Sequence, residues 1–299
     1  NLETADLKWG YQRGRLWLRL SSQLTVNVRG GAKKLPVQQL TIVTPAGADL
    51  SRKWPGLIPR LPPQILPPVV EPPKELPVIS KPRVALIIDD VGSVRKAADA
   101  MLQVPARLTW AILPFTRYAA EYAEAARERG FEVILHLPLE PMDLKNNPGP
   151  GLIKRNWSDA AIVEQLEANL NQVPGAVGIN NHMGSAGTAD ERLMDLLMGE
   201  IKARGLYFVD SMTTDKSVGE SLARRHQVRF KKRHVFIDNL SDLESKKQAL
   251  RELIRIALKE GEAIGIGHVR NGTAEAIIEM LPEFEKAGIE LVTVSELFR

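Results

Sequence analysis

The hydrophobic positions change their period once along the chain. Over residues 16–43 they alternate: Leu16, Leu18 and Leu20, then Leu24, Val26 and Val28, then Val37 to Val43, with Gly30-Gly31 as a turn signal. This pattern predicts a small β-rich module or arm over residues 1–52. From Arg83 onward, short apolar runs instead alternate with amphipathic stretches. Four of those stretches end in a charged turn, a glycine and a new apolar run: Arg129-Gly130 before Phe131, Arg204-Gly205 before Leu206, Glu260-Gly261 before Ala263, and Ala287-Gly288 before Ile289. A glycine just past a helix supplies the left-handed residue that ends it, and cations in the last turn suit the helix dipole. Helix starts are predicted at Ser158, at Thr188, and at Ser241, which forms a capping-box pattern with Glu244. Repeated βα units over residues 82–299 predict an α/β fold with a mostly parallel sheet, open or closed into a barrel.

Composition changes this picture in the middle of the chain. Half of the 20 prolines lie between Pro55 and Pro82. Such a stretch favours extended polyproline II, and residues 53–81 are expected to form a semi-rigid linker. Charge is divided in the same way. Residues 1–80 hold 11 Lys/Arg against 5 Asp/Glu, whereas the rest hold 29 against 31. A near-neutral main domain does not carry the basic face that a phosphate backbone requires, so no nucleic-acid partner is expected. No run approaches the roughly 20 apolar residues of a spanning helix. The chain begins at Asn1 rather than Met, and a signal or anchor segment is expected to have been removed upstream. With no cysteine, a metal could be held only by His, Asp or Glu.

The candidate chemistry collects at the carboxyl ends of predicted strands, where parallel α/β folds keep their working residues. Val84 to Ile88 ends in Asp89-Asp90, Val133 to Leu135 in His136, and Val177 to Ile179 in Asn180-Asn181-His182. Tyr207 to Val209 ends in Asp210, and Ile264 to Gly267 in His268. Three of the five histidines thus fall on one rim, with carboxylates beside them. This oxygen and nitrogen set suits zinc and similar divalent ions, with groups to spare for acid and base work. Asp143, Asp190, His226 and His234 lie outside the constellation, and Asp238 is a weaker member of the rim. The glycines lack the spacing of either nucleotide-binding motif, and no Gly-x-Ser-x-Gly nucleophile elbow occurs.

Five segments, Ile87-Ile88-Asp89-Asp90-Val91-Gly92, His136-Leu137-Pro138-Leu139-Glu140, Asn180-Asn181-His182-Met183-Gly184-Ser185, Phe208-Val209-Asp210-Ser211 and Ile266-Gly267-His268, together resemble the divergent polysaccharide deacetylase family. That family is a distant branch of the NodB-like deacetylases of carbohydrate esterase family 4. The resemblance covers residues 82–299, including the closing Val292 to Leu297. It implies a distorted (β/α) barrel of about seven parallel strands, and export toward the cell wall, hence an extracytoplasmic, periplasmic location.

In NodB-like enzymes an Asp-Asp pair supplies a base and then a metal ligand, two histidines four residues apart supply further ligands, and a late strand-end histidine supplies an acid. Asp89, Asp90 and His268 match this pattern. The middle motif departs from it, because Glu140 stands four residues after His136 and Asn180-Asn181-His182 replaces an Arg-Pro-Pro segment. The resemblance therefore implies Asp90, His136 and His182 as ligands of a divalent metal, zinc first, with Glu140 as a competing ligand. Asp89 would be the general base and His268 the general acid. Asp210 would orient His268 or touch substrate, and Trp110 or Trp157 would stack on a sugar, although Trp110 lies in a predicted strand and suits the core. The implied activity is removal of acetyl groups from an N-acetylated polysaccharide, a cell-wall glycan. The alternatives are a glycan-binding or scaffolding protein that keeps the barrel without turnover, and hydrolysis of a different amide or ester.

Overall fold

The structure, a computed structural model, describes residues 81–299 in full and the backbone of residues 2–12, 15–28 and 31–43. The proline-rich linker expected over residues 53–81 lies outside the described residues except for Lys81. Contacts divide the chain into two compact units, Asn1–Glu75 and Leu76–Arg299.

In the first unit, β1 (Leu2–Gln12), β2 (Arg15–Val28) and β3 (Gly31–Val43) form an antiparallel three-stranded sheet in sequence order. The two runs read separately at 16–20 and 24–28 belong to one strand. A register shift between Ser22 and Gln23 lets the strand continue through the break in its alternation.

Among its described residues the second unit holds nine strands and seven helices. They follow the order β4 (Arg83–Val91), α1 (Arg95–Leu102), β5 (Thr109–Ile112), α2 (Ala119–Glu128), β6 (Glu132–Leu139), α3 (Asp159–Asn171), β7 (Gly178–Met183), α4 (Glu191–Ala203) and β8 (Tyr207–Asp210). Then come α5 (Gly219–His226), β9 (Phe230–Lys232), β10 (Val235–Phe236), α6 (Leu243–Glu260), β11 (Glu262–His268), α7 (Thr273–Lys286), β12 (Glu290–Val292) and a closing 3₁₀ turn, Val294–Phe298. All ladders in this unit are parallel, in the order β10-β11-β4-β5-β6-β7-β8-β9, with β12 also on β4. The barrel reading therefore holds. The strand count exceeds the expected seven because β9, β10 and β12 have only two or three residues, too short to show a period.

Pairing of β11 with β4 brings the last long strand beside the first, but β9 and β10 share no ladder. Two residues bridge that seam instead. The Arg233 amide donates to the Asp210 carbonyl on one side, and the His234 amide to the Ile264 carbonyl on the other.

Strand alternation sorts the core into two layers. Val84, Leu86 and Ile88 pack outward against the helices, whereas Ala85 and Ile87 face inward with Ile134, Tyr207, Val209, Ile264, Ile266 and the 3₁₀-turn residues Val294 and Leu297. Both faces of β4 are thus buried, which is why it reads as a continuous apolar run. The predicted junction glycines Gly130, Gly205, Gly261 and Gly288 all have positive φ, between 69° and 85°.

Helix starts depart from expectation at two places. α4 is capped by Asp190, whose carboxylate accepts from Leu193 N, while the Thr188 hydroxyl donates to the Gly184 carbonyl. α6 is capped by Asp242, accepting from Ser245 N, rather than by the Ser241–Glu244 box. A carboxylate one or two residues nearer the helix takes the orphan amide in both cases. Ser158 caps α3 as read.

Close strand packing gives a direct test of the barrel wall. A Cβ on Gly178 would lie 2.4 Å from two ring atoms of Tyr207, a buried side chain whose hydroxyl donates to Glu132 at 2.6 Å. The ring cannot swing away without losing that bond. Gly178→Ala is expected to cost about 2 kcal/mol, within the usual range for overpacking. In a domain of this size that lowers the melting temperature by roughly 4–8 °C. A melting scan with no shift would show that the wall yields at this point.

Candidate metal centre and active site

The inward parity that places Ile87 and Ile134 in the core continues to the top of the barrel. It brings Asp89 on β4, His136 on β6, Asn180 and His182 on β7, and His268 on β11 around one mouth. Asp89 and His268 sit opposite each other in the β4–β11 register. A regular strand would send Asp90 to the outer face. The β4–β5 register slips between Ile88 and Val91, so three residues of β4 span two of β5, and Asp90 takes a left-handed φ of 63°. This bulge turns consecutive carboxylates toward the same centre, at a place where backbone strain serves function.

Asp90 Oδ1 lies 3.3 Å from His136 Nε2 and 3.2 Å from His182 Nδ1, and those two nitrogens are 3.0 Å apart. Asp90 Oδ1 is buried and has no hydrogen-bond partner. A buried carboxylate oxygen left unsatisfied is costly, and here it faces two ring nitrogens. One oxygen and two imidazole nitrogens converging on a point is the donor set of a divalent cation. Among the described residues this is the one such cluster, and it fits a metal. Burial pushes the Asp90 carboxyl up, but the His136 and His182 rings beside it outweigh this and hold the group far below the usual carboxylate range.

The surrounding residues fix these groups. His136 Nδ1 lies 2.8 Å from Asn180 Oδ1, and Asn180 Nδ2 donates to Asp89 Oδ1 at 2.8 Å. Because the amide nitrogen faces the carboxylate, its oxygen must accept from His136, so the His136 proton sits on Nδ1 and the Nε2 lone pair faces the centre. Asp89 Oδ2 stands 3.5 Å from His136 Nε2. Burial raises the Asp89 carboxyl above its ordinary value, with His136 and His268 offsetting part of the effect. That direction suits a base working near neutrality.

His268 Nδ1 lies 2.7 Å from Asp238 Oδ1. The other Asp238 oxygen accepts from the His268 amide at 2.8 Å and from the Thr273 hydroxyl at 2.9 Å. Burial pushes the Asp238 carboxyl up, and the His268 bonds overcome this and lower it, so a carboxylate holds the ring with Nε2 toward the mouth. The carboxylate at His268 is therefore Asp238, not Asp210. Asp210 follows outward-facing Phe208 by two residues, and alternation carries it to the outer face. There it accepts from Met212 N at 2.7 Å and from the Ser217 hydroxyl, ordering the turn after β8. The apolar run Val235 to Ile237 ending in Asp238 was the signal for this residue, shortened to a two-residue strand.

Glu140 is also relocated. It lies just past β6, where Arg155 binds it through Nε and Nη2 at 3.3 and 3.1 Å and its own amide at 2.9 Å. It does not join the three converging donors. Asp190 serves α4, His226 lies 2.8 Å from Asp195 on the helical exterior, and His234 Nδ1 accepts from Ile264 N. Trp110 is fully buried between Tyr122 and Phe131, while Trp157 is a half-buried member of the same core layer. Over the centre lies a cleft of about 440 Å³ bordered by Asp90, His182, His268, Ser93, Thr116 and Arg270.

Residues 86–298, nearly all of the second unit, match the family model described as divergent polysaccharide deacetylase. The chain belongs to that family. Its relatives include an uncharacterized protein of Haemophilus influenzae, 34% identical over 220 residues, a match covering 73% of this chain and 77% of that one. The uncharacterized protein YibQ of Escherichia coli is 31% identical over 199 residues, covering 67% of this chain and 62% of YibQ. The crystal structure of an uncharacterized Agrobacterium tumefaciens protein superposes with a TM-score of 0.70 at 25% identity, covering 73% of this chain and 89% of that one. The divergent polysaccharide deacetylase match takes in every residue of the mouth, from Asp89 to His268.

Proposed function

We propose that the protein is a metal-dependent hydrolase that removes acetyl groups from an N-acetylated polysaccharide. The observation that carries this reading is the convergence of Asp90, His136 and His182 around a buried, unpartnered carboxylate oxygen, beside a carboxylate and an imidazole that are not needed as ligands. Those three residues would hold the cation, zinc being the ion best suited to an oxygen and two imidazoles. A divalent cation there would supply Lewis acidity toward a carbonyl oxygen and make a water molecule easier to deprotonate.

The chain's own groups account for the proton movements. Asp89 Oδ2, on the side of His136 Nε2, takes a proton from the attacking water as its oxygen bonds to the acetyl carbon. The carbon–nitrogen bond then breaks, and the departing nitrogen takes a proton from His268 Nε2. Asp238 holds the His268 ring through Nδ1, so the imidazole remains aimed at the cleft. Acetic acid and a free amine leave, and the proton taken up by Asp89 matches the one given by His268. The reading takes the substrate to be a cell-wall glycan and the site of action to be the periplasmic side of the cell envelope.

Acetate release from N-acetylated glycan oligomers and peptidoglycan fragments tests it. Activity is expected with zinc, loss with a chelator, and recovery on adding zinc back. A zinc-loaded protein that binds such glycans but frees no acetate would overturn the hydrolase reading in favour of a glycan-binding role.

A further inference from the structure

Asn180 is buried in the middle of the site, yet it has no acidic or basic chemistry of its own. Its two ends do different work. The carbonyl oxygen meets His136 Nδ1 at 2.8 Å, and the amide nitrogen meets Asp89 Oδ1 at 2.8 Å and, more distantly, Ser211 Oγ at 3.4 Å. From these contacts we infer that Asn180 is a positioning residue. Its single amide locks the metal-facing tautomer of His136 and the acceptor orientation of Asp89 together, making the ligand set and the base one coupled unit. The inference rests on the hydrolase reading for its catalytic half only.

An amide has one donor end and one acceptor end, and in a buried site each must meet its complement. In the observed orientation His136 donates through Nδ1 and offers its Nε2 lone pair to the centre, while Asp89 accepts through Oδ1 and keeps Oδ2 toward that centre. Reversing the amide would set its NH₂ against His136 Nδ1 and its oxygen against a carboxylate. His136 would then carry its proton on Nε2 and could not act as a ligand there. Neither partner can adopt the wrong arrangement without disturbing the other. The β7 register supports this role by placing Asn180 beside His136 on β6.

Two substitutions separate the halves of the lock. Asn180→Asp keeps an acceptor for His136 and replaces the donor to Asp89 with a like charge. Asn180→Leu removes both bonds at similar volume. Zinc affinity, read by competition with a chromogenic chelator, is expected to stay within about threefold of the parent or to tighten in Asn180→Asp. It should weaken about 10- to 100-fold in Asn180→Leu, as outer-shell losses do. Turnover on an acetylated glycan is expected to fall at least tenfold in both variants, with KM little changed. Equal zinc affinities in the parent and Asn180→Leu, at matching circular dichroism spectra, would overturn the ligand half. Full turnover in Asn180→Asp would overturn the base half. A parent protein that binds zinc yet shows no turnover would fail the hydrolase reading and leave the zinc comparison standing as the test of the ligand half.

Discussion

Zinc binding should be largely lost in Asp90→Asn and in His182→Ala, with both variants still folded. Both side chains are partly exposed at the mouth, above the apolar layer that carries the fold, so their loss leaves little cavity. His182→Ala removes a donor outright and Asp90→Asn replaces a charged donor with a neutral amide oxygen, and the affinity loss should exceed the roughly 10- to 100-fold associated with outer-shell partners. His136→Ala should lose zinc as well. It should also melt several degrees lower, because the ring is buried and its removal leaves the Asn180 oxygen without a donor. Plasma mass spectrometry gives the stoichiometry. Melting with and without added zinc gives a second reading, since an ion that binds only the folded state raises the midpoint of the parent but not of a variant that cannot hold it. Full occupancy in Asp90→Asn or in His182→Ala would remove that residue from the centre.

His268→Ala should still bind zinc as the parent does and lose turnover by about 10²- to 10⁴-fold, the usual worth of one positioned proton donor. Its ring is tied to Asp238 rather than to the three converging donors, which is why metal and activity should part company here. Asp238→Asn should follow it in kind. The amide can no longer accept with both ends from the His268 amide, the His268 ring and Thr273, and it cannot balance a protonated imidazole. Retained turnover in His268→Ala would end the acid assignment, and loss of zinc in that variant would make His268 a ligand.

Much of this architecture is legible in the residues, for a simple reason. A parallel strand buried on both faces reads as a short apolar run, and a positive-φ glycine ends four of the described helices, α2, α4, α6 and α7, so the βα punctuation from Arg83 onward marks the barrel. Asp89, Asp90, His136, His182 and His268 stand at the ends of such runs and meet in space. What stays hidden depends on which face a residue takes. Asp210 looks equivalent to the others, but Phe208, two positions earlier, faces the helices, and this sends Asp210 outward. Asp238 lies just past a strand of two residues, too short for its alternation to be read. Glu140 has the spacing of a ligand and is held by Arg155 across a loop that no periodicity describes. Asn180 gives no titratable signal, although it touches two of the groups that do.

The bulge in β4 determines which kinds of sequence change the mouth can absorb. A point substitution at Asp89 or Asp90 alters one side chain and leaves the extra backbone residue in place, so a lineage could exchange either carboxylate and inherit an intact barrel. A one-residue deletion between Ile88 and Val91 acts differently. It would restore the regular ladder to β5 and remove one of the two carboxylates outright, because Asp89 and Asp90 are the residues that fill that interval. Genetic drift at this strand is therefore unequal in its results: letters can change with the scaffold preserved, whereas length cannot change without dismantling the paired arrangement on which both carboxylates depend.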